Sequence, residues 1–185
     1  MLAANRVGKT EGIGGYEVIR HMIGEYPPWW IGRRFDHPVS VWIAGDTSHT
    51  VREILQNKLL GPITNIGSGL LPRRCLLRTT PKRGNPDSIQ DFYVRHSSGG
   101  VSVATFKSYD QGFASFQGAD KHIIWLDEEP DLNIYTECLT RTMTTNGIVI
   151  CTFTPLLGLS EVVLLFLPGG KLPDPPKRIR KEDFR

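Results

Sequence analysis

The sequence has no long apolar run. The longest, Val162 to Leu167, holds six residues, far short of the ~18–20 needed to span a membrane. No basic region followed by an apolar segment opens the chain, because Asn5, Arg6 and Lys9 interrupt the apolar start at once; a soluble chain that is not secreted is expected. Cysteine is scarce: Cys75, Cys138 and Cys151 are odd in number and form no C-x-x-C pair. That pattern indicates neither a disulfide framework nor a zinc site, and it fits a reducing compartment. The five histidines show no metal-ligand spacing. Net charge is small, +3, and it is unevenly placed. Residues 171–185 hold six Lys or Arg against three Asp or Glu, close behind Pro168, Pro173, Pro175 and Pro176. The stretch 168–185 therefore reads as a Pro-rich basic linker or tail; such a tail can touch nucleic acid, but charge alone favours a solubilising linker.

What is present suits one packed domain. The length, 185 residues with 39% hydrophobic side chains and nineteen glycines, is about that of a single globular unit, whole or part of a larger chain. Residues 9–23 place Tyr16, Ile19, Met22 and Ile23 at helical spacing and stop at Gly24. An aromatic loop follows, Tyr26-Pro27-Pro28-Trp29-Trp30, read as packing around a rigid turn. Residues 39–45 form an apolar, β-branched strand. A helix comes next, with Thr50 and Glu53 as its capping box and Val51, Ile54, Leu55 and Leu59 as its buried face, ended by Gly61-Pro62. Residues 61–86, rich in Gly, Pro and Arg, read as a surface excursion with a short strand at 75–79. Segments 92–96 and 101–107 read as a hairpin joined by Ser97-Ser98-Gly99-Gly100. Residues 122–126 form a continuous apolar strand, and Pro130 opens a helix expected to bury Leu132, Tyr135, Leu139 and Met143 before Asn146-Gly147. A last buried strand covers 148–152. Apolar strands alternating with amphipathic helices predict an α/β domain with a largely parallel sheet flanked by helices.

Three segments carry chemistry. Ala3-Ala4-Asn5-Arg6-Val7-Gly8-Lys9-Thr10 matches the phosphate-loop pattern G-x-x-x-x-G-K-[ST] except for Ala3 at the first glycine. In such a loop, backbone N–H groups and the following helix face phosphates, a lysine supplies a point charge and a threonine offers a hydroxyl to Mg²⁺. Ile123-Ile124-Trp125-Leu126-Asp127-Glu128 is four apolar residues followed by two acids. Beside a phosphate loop, Asp127 would serve the magnesium shell and Glu128 would polarise the attacking water; standing by itself, the pair would simply cap a helix. Cys151-Thr152-Phe153-Thr154-Pro155 closes the next strand. A threonine there can sense a γ-phosphate, and a Thr-Pro turn also ends many strands for reasons of backbone geometry alone.

With these segments in order, and with Tyr26-Pro27-Pro28-Trp29-Trp30, Lys107-Ser108-Tyr109 and Phe116-Gln117-Gly118 between them, the chain resembles the large subunit of the terminase, the DNA-packaging motor of tailed bacteriophages. The resemblance runs from Ala3 to about Leu167. It implies a P-loop NTPase (ASCE, RecA-like) domain over residues 1–167; the expected departures from the family pattern are the first core strand before the loop, of which only Met1 and Leu2 stand here, and the acidic nuclease cluster after Leu167. It implies ATP and Mg²⁺ as cofactors, with Asn5, Arg6, Val7, Gly8, Lys9 and Thr10 on the nucleotide, Thr10 and Asp127 toward the metal, and Glu128 as catalytic carboxylate. Thr152 and Thr154 would form the coupling motif. Arg6 is either an arginine finger or a solvated loop cation. Implied partners are double-stranded DNA, a portal protein, a small terminase subunit and further copies of the chain, in the host cytoplasm and transiently at the procapsid portal. A helicase-like ATPase and a non-catalytic remnant that binds nucleotide or partners are the alternative readings.

Overall fold

The computed structural model describes residues 8–155 and 158–170. The chain divides into two compact units, Met1–Thr154 and Pro155–Arg185. In the first, six strands among the described residues form one sheet: β1 (Ser40–Gly45), β2 (Leu76–Lys82), β3 (Asn85–Arg95), β4 (Val101–Ser108), β5 (Ile123–Asp127) and β6 (Ile148–Thr152). Their spatial order is β2-β3-β4-β1-β5-β6. The pairs β1–β4, β1–β5 and β5–β6 are parallel, whereas β2–β3 and β3–β4 are antiparallel. The sheet is thus mixed, rather than the largely parallel one expected, because β3 runs against the other five strands.

Helices cover both faces, as the period-two pattern of the central strands requires. Val41 and Ile43 of β1 join Ile123 and Trp125 of β5 in the larger core, together with Val18, Ile19 and Met22 of helix α1 (9–23) and Val51, Leu55 and Leu59 of helix α2 (48–60). The intervening Trp42, Ala44, Ile124 and Leu126 turn to the other face, where they meet Phe116 and helix α3 (Leu132–Met143) through Ile134 and Cys138. Helix α1 opens with a wide π-type stretch, Lys9–Gly15, and continues through Tyr16, whose backbone is helical.

Several local expectations shift. Helix α2 starts three residues earlier than the Thr50–Glu53 box implies, because Thr47 is the cap. Thr47 Oγ1 accepts from the Thr50 amide at 3.2 Å and Thr50 Oγ1 accepts from the Thr47 amide at 3.0 Å, a cap of the kind that contributes ~1 kcal/mol. Ile54 faces outward, 42% exposed. In α3, Pro130 precedes the cap Asp131, and the buried face is Ile134, Cys138 and Thr142, leaving Leu139 and Met143 exposed. That face lies on an i, i+4, i+8 line on which only Ile134 is a large apolar residue, Cys138 and Thr142 being small. The excursion 61–86 is shortened by strand β2, and β3 begins at Asn85, before the expected hairpin. Strand β6 is only half-buried until Thr152, since among the described residues only β5 pairs with it.

The aromatic loop packs as expected. Tyr26 Oη accepts from the Phe35 amide at 2.8 Å and contacts His21 Nδ1 at 3.0 Å, with Trp30 beside it. In the second unit, Ser160 caps helix α4 (Glu161–Leu165) by accepting from the Val163 amide at 3.2 Å. No helix among the described residues is long and apolar enough to cross a membrane.

Candidate active site

Parallel strands deliver their ends to one edge of a sheet, and the candidate residues gather there. Strand β5 ends at Asp127, and the register pairs Asp127 with Thr152, the last residue of β6. Gly8 precedes α1 with φ +78°, a left-handed conformation that glycine adopts without the Cβ clash of other residues. Its carbonyl accepts from the Gly12 amide at 2.7 Å. The chain then enters α1 with Lys9 and Thr10 facing the strand ends.

Four side chains form one connected network. Thr10 Oγ1 donates to Asp127 Oδ1 at 3.0 Å across 117 positions of sequence. Thr152 Oγ1 donates to the same oxygen at 2.6 Å, and Trp125 Nε1 donates to Thr152 Oγ1 at 2.7 Å. Lys9 Nζ donates to Thr154 Oγ1 at 2.8 Å. Asp127 is 6% exposed. Burial pushes its carboxyl above the usual carboxylate range, opposed by the hydrogen bonds from Thr152 and Thr10 and then by the charges of Lys58 and Lys9. The next acid, Glu128, is exposed. Partial loss of hydration raises its pKa, the neighbouring Asp127 charge adds to the rise, and Lys9 opposes it.

The backbone at Glu128 is unusual. Its φ is +66°, and for a residue with a Cβ that region costs about 1–3 kcal/mol and persists only where surroundings enforce it. Two contacts do so. The Glu128 amide donates to the Thr152 carbonyl at 3.1 Å, one step beyond the β5–β6 ladder. From the end of β4, Tyr109 Oη approaches the carbonyls of both Asp127 and Glu128 at 3.1 Å. Burial holds the Tyr109 phenol well above its ordinary pKa, and the nearby Cys151, Asp127, Cys138 and Glu128 reinforce the effect; the group is a hydroxyl donor at neutral pH.

Gly14 has a packing role that the spacing argument does not reveal. A Cβ at this position would stand 2.2 Å from Trp125 Cε2, so glycine lets α1 lie directly on the indole that orients Thr152. The structure therefore brings together Gly8, Lys9, Thr10, Asp127, Glu128, Thr152 and Thr154. Asn5, Arg6 and Val7 lie outside the described residues. Tyr109, Trp125 and Gly14 join the site from tertiary packing. Tyr109 stands in one of the segments that carry the family resemblance, and that was its only sequence signal.

Thr10 and Asp127 present hard oxygens side by side, the donor type that suits Mg²⁺. Among the described residues no group of three or more His, Cys, Asp or Glu stands ready to hold a metal. Such a site fits an ion that takes one or two carboxylates and completes its shell from phosphates and water.

A family model described as terminase large subunit, T4likevirus-type, N-terminal, matches residues 1–179. The terminase large subunit of Salmonella phage P22 is 37% identical over 90% of this chain. The chain spans 37% of that relative's length. No solved structure matches.

Proposed function

The chain belongs to the terminase large-subunit family, and we propose that it is the ATP-hydrolysing motor domain of a P-loop NTPase, powering movement of double-stranded DNA into a capsid. Family membership supports the DNA-packaging role. One observation carries the chemical reading: the Thr10–Asp127 hydrogen bond joins the end of the phosphate-loop motif to the acid pair, two segments matched separately by pattern. Chance resemblance in either segment would not predict that contact.

In this reading the loop before α1 wraps the nucleotide phosphates, with Asn5, Arg6, Val7 and Gly8 contributing backbone groups and Lys9 its ammonium charge. Thr10 and Asp127 would hold Mg²⁺, which when bound neutralises phosphate charge. Glu128 orients the attacking water and accepts its proton, a task helped by a raised pKa. Lys9 meets Thr154 in this structure; an outer phosphate competes for the same ammonium group. Gain and loss of that phosphate would thus be felt at Thr154 and, through Asp127, at Thr152. Both belong to the segment that leaves β6, so this is the coupling motif. Arg6 would add a further positive charge to the transferring phosphoryl group. The portal protein, the small terminase subunit and further copies of the chain are the partners of such a motor, in the host cytoplasm and at the procapsid portal.

The test is phosphate release from Mg·ATP by the full-length protein with and without duplex DNA. Lys9→Ala should lose nucleotide binding, whereas Glu128→Gln should keep binding and lose turnover. ATP affinity unchanged in Lys9→Ala would remove the phosphate-loop assignment. Inactivity of Glu129→Gln with an active Glu128→Gln would move the base by one residue.

A further inference from the structure

Strands β4 and β5 are not neighbours, since β1 lies between them, yet Tyr109 bridges their ends. It follows Ser108, the last residue of β4, in a tight turn, Tyr109–Gln111. That turn is itself held: Ser108 Oγ donates to Asp110 Oδ1 at 2.5 Å, and the Ser48 amide donates to Asp110 Oδ2 at 3.0 Å. The ring sits 6.3 Å from that of Phe116, which is fully buried in the core beneath. Turn and ring together leave the hydroxyl little freedom. It faces two carbonyls, those of Asp127 and Glu128, each at 3.1 Å. These carbonyls flank the residue whose φ is +66°.

We infer that Tyr109 is a positioning residue for the acid pair. By sharing its one proton between the carbonyls on either side of the Glu128 α-carbon, its hydroxyl holds the left-handed turn and so fixes the direction in which the Glu128 carboxylate leaves β5. In an extended conformation Glu128 would continue the strand, and its side chain would be carried away from the direction set by the turn. A hydroxyl anchored on β4 prevents that relaxation. The inference rests on the proposed role of Glu128 for its catalytic consequence, whereas its structural part stands on backbone geometry alone.

Two measurements on the full-length protein test it. In the first, Tyr109→Phe keeps the ring and removes only the hydroxyl. Turnover should fall about 10–100-fold, the scale of a small misplacement of a reacting group, with KM for ATP within about twofold because Lys9 and the loop are untouched. Added to Glu128→Gln, Tyr109→Phe should cause no further loss in single-turnover hydrolysis, since the group it positions no longer acts; losses that multiply would overturn the inference. A Tyr109→Phe turnover equal to wild type, with Glu128→Gln inactive, would also overturn it. If Glu128→Gln itself turns over normally, the proposed role of Glu128 fails instead, and the second measurement decides alone.

That second measurement is a stability cycle by denaturant unfolding. Glycine adopts φ +66° freely, so Tyr109→Phe should shift the unfolding midpoint clearly in the wild-type background and much less in Glu128→Gly. Additive shifts, or failure of Tyr109→Phe to fold in both backgrounds, would show that the hydroxyl does not act on the Glu128 backbone. Folding only in the Glu128→Gly background would be the strongest form of the expected coupling.

Discussion

The two ends of the sheet differ in what they are built to do. At one end, β4, β1, β5 and β6 run in the same direction, so their last residues, Ser108, Gly45, Asp127 and Thr152, line one edge, and every candidate side chain described here reaches that edge from them or from α1. At the other end, the β2–β3 ribbon has register shifts at Leu76/Arg78, Thr80/Pro81 and Pro81/Lys82. Strand β5 is buried along its whole length, whereas β2 is buried at none of its seven positions. The difference is physical. Strands that share a direction collect their ends, and the central pair β1 and β5 is covered on both faces; β2 shares that direction but forms the outer edge of the sheet, while β3 alone is reversed and sends its end to the opposite edge.

The sharpest break of this comparison is chemical. Glu128→Gln should retain ATP binding and lose turnover by about 10²–10⁴-fold, the usual scale of general base catalysis, read by phosphate release. A comparable loss from a substitution confined to the β2–β3 ribbon would remove the division of labour. Next in size is Gly14→Ala. The new methyl would press on the Trp125 indole, and overpacking of this kind costs about 1–3 kcal/mol. Chemical denaturation should show the loss, and Gly14→Ala with Trp125→Phe should recover part of it.

A third expectation concerns pH and lies outside the active edge. His96, after β3, is buried, and burial lowers its pKa from the ordinary 6.5, with partial opposition from the Phe35 backbone. The folded state thus binds this proton more weakly than the unfolded chain does. Its contribution to stability is complete above pH 6.5 and is lost as pH falls through and below that value. Unfolding midpoints measured from pH 7.5 to 5 should decline, and His96→Gln should flatten the decline without altering ATP affinity at neutral pH. The smallest effect is expected on the ribbon. Leu77 is 41% exposed, and Leu77→Ser should change stability by about 0.5 kcal/mol or less and leave turnover unaltered.

The legible part of the fold was the part governed by local rules. Strand 39–45, strand 122–126 and strand 148–152 correspond to β1, β5 and β6 within a residue or so, because a continuous apolar run bounded by breakers has few other uses. Helix faces were read less well. The outward turn of Ile54, Leu139 and Met143 depends on where each helix meets the sheet, and periodicity reports a stripe without saying which stripe is covered. The direction of β3 was equally out of reach, since it is decided by pairing partners distant in sequence.

At the site, local order determined the types and spacing of the residues: a Gly-Lys-Thr at a helix start, two acids after an apolar strand, and threonines after the next. Sequence by itself could place each on a strand end or helix start because those positions follow from hydrogen-bonding and apolar pattern within a few residues. Only the tertiary structure decided that Thr10 and Thr152 share one oxygen of Asp127, that Lys9 meets Thr154, that Gly14 must lack a side chain against Trp125, and that Tyr109 reaches across β1 to the carbonyls around Glu128. Each is a contact between segments brought together by the sheet, and a sequence pattern, which records neighbours along the chain, contains no distance between them.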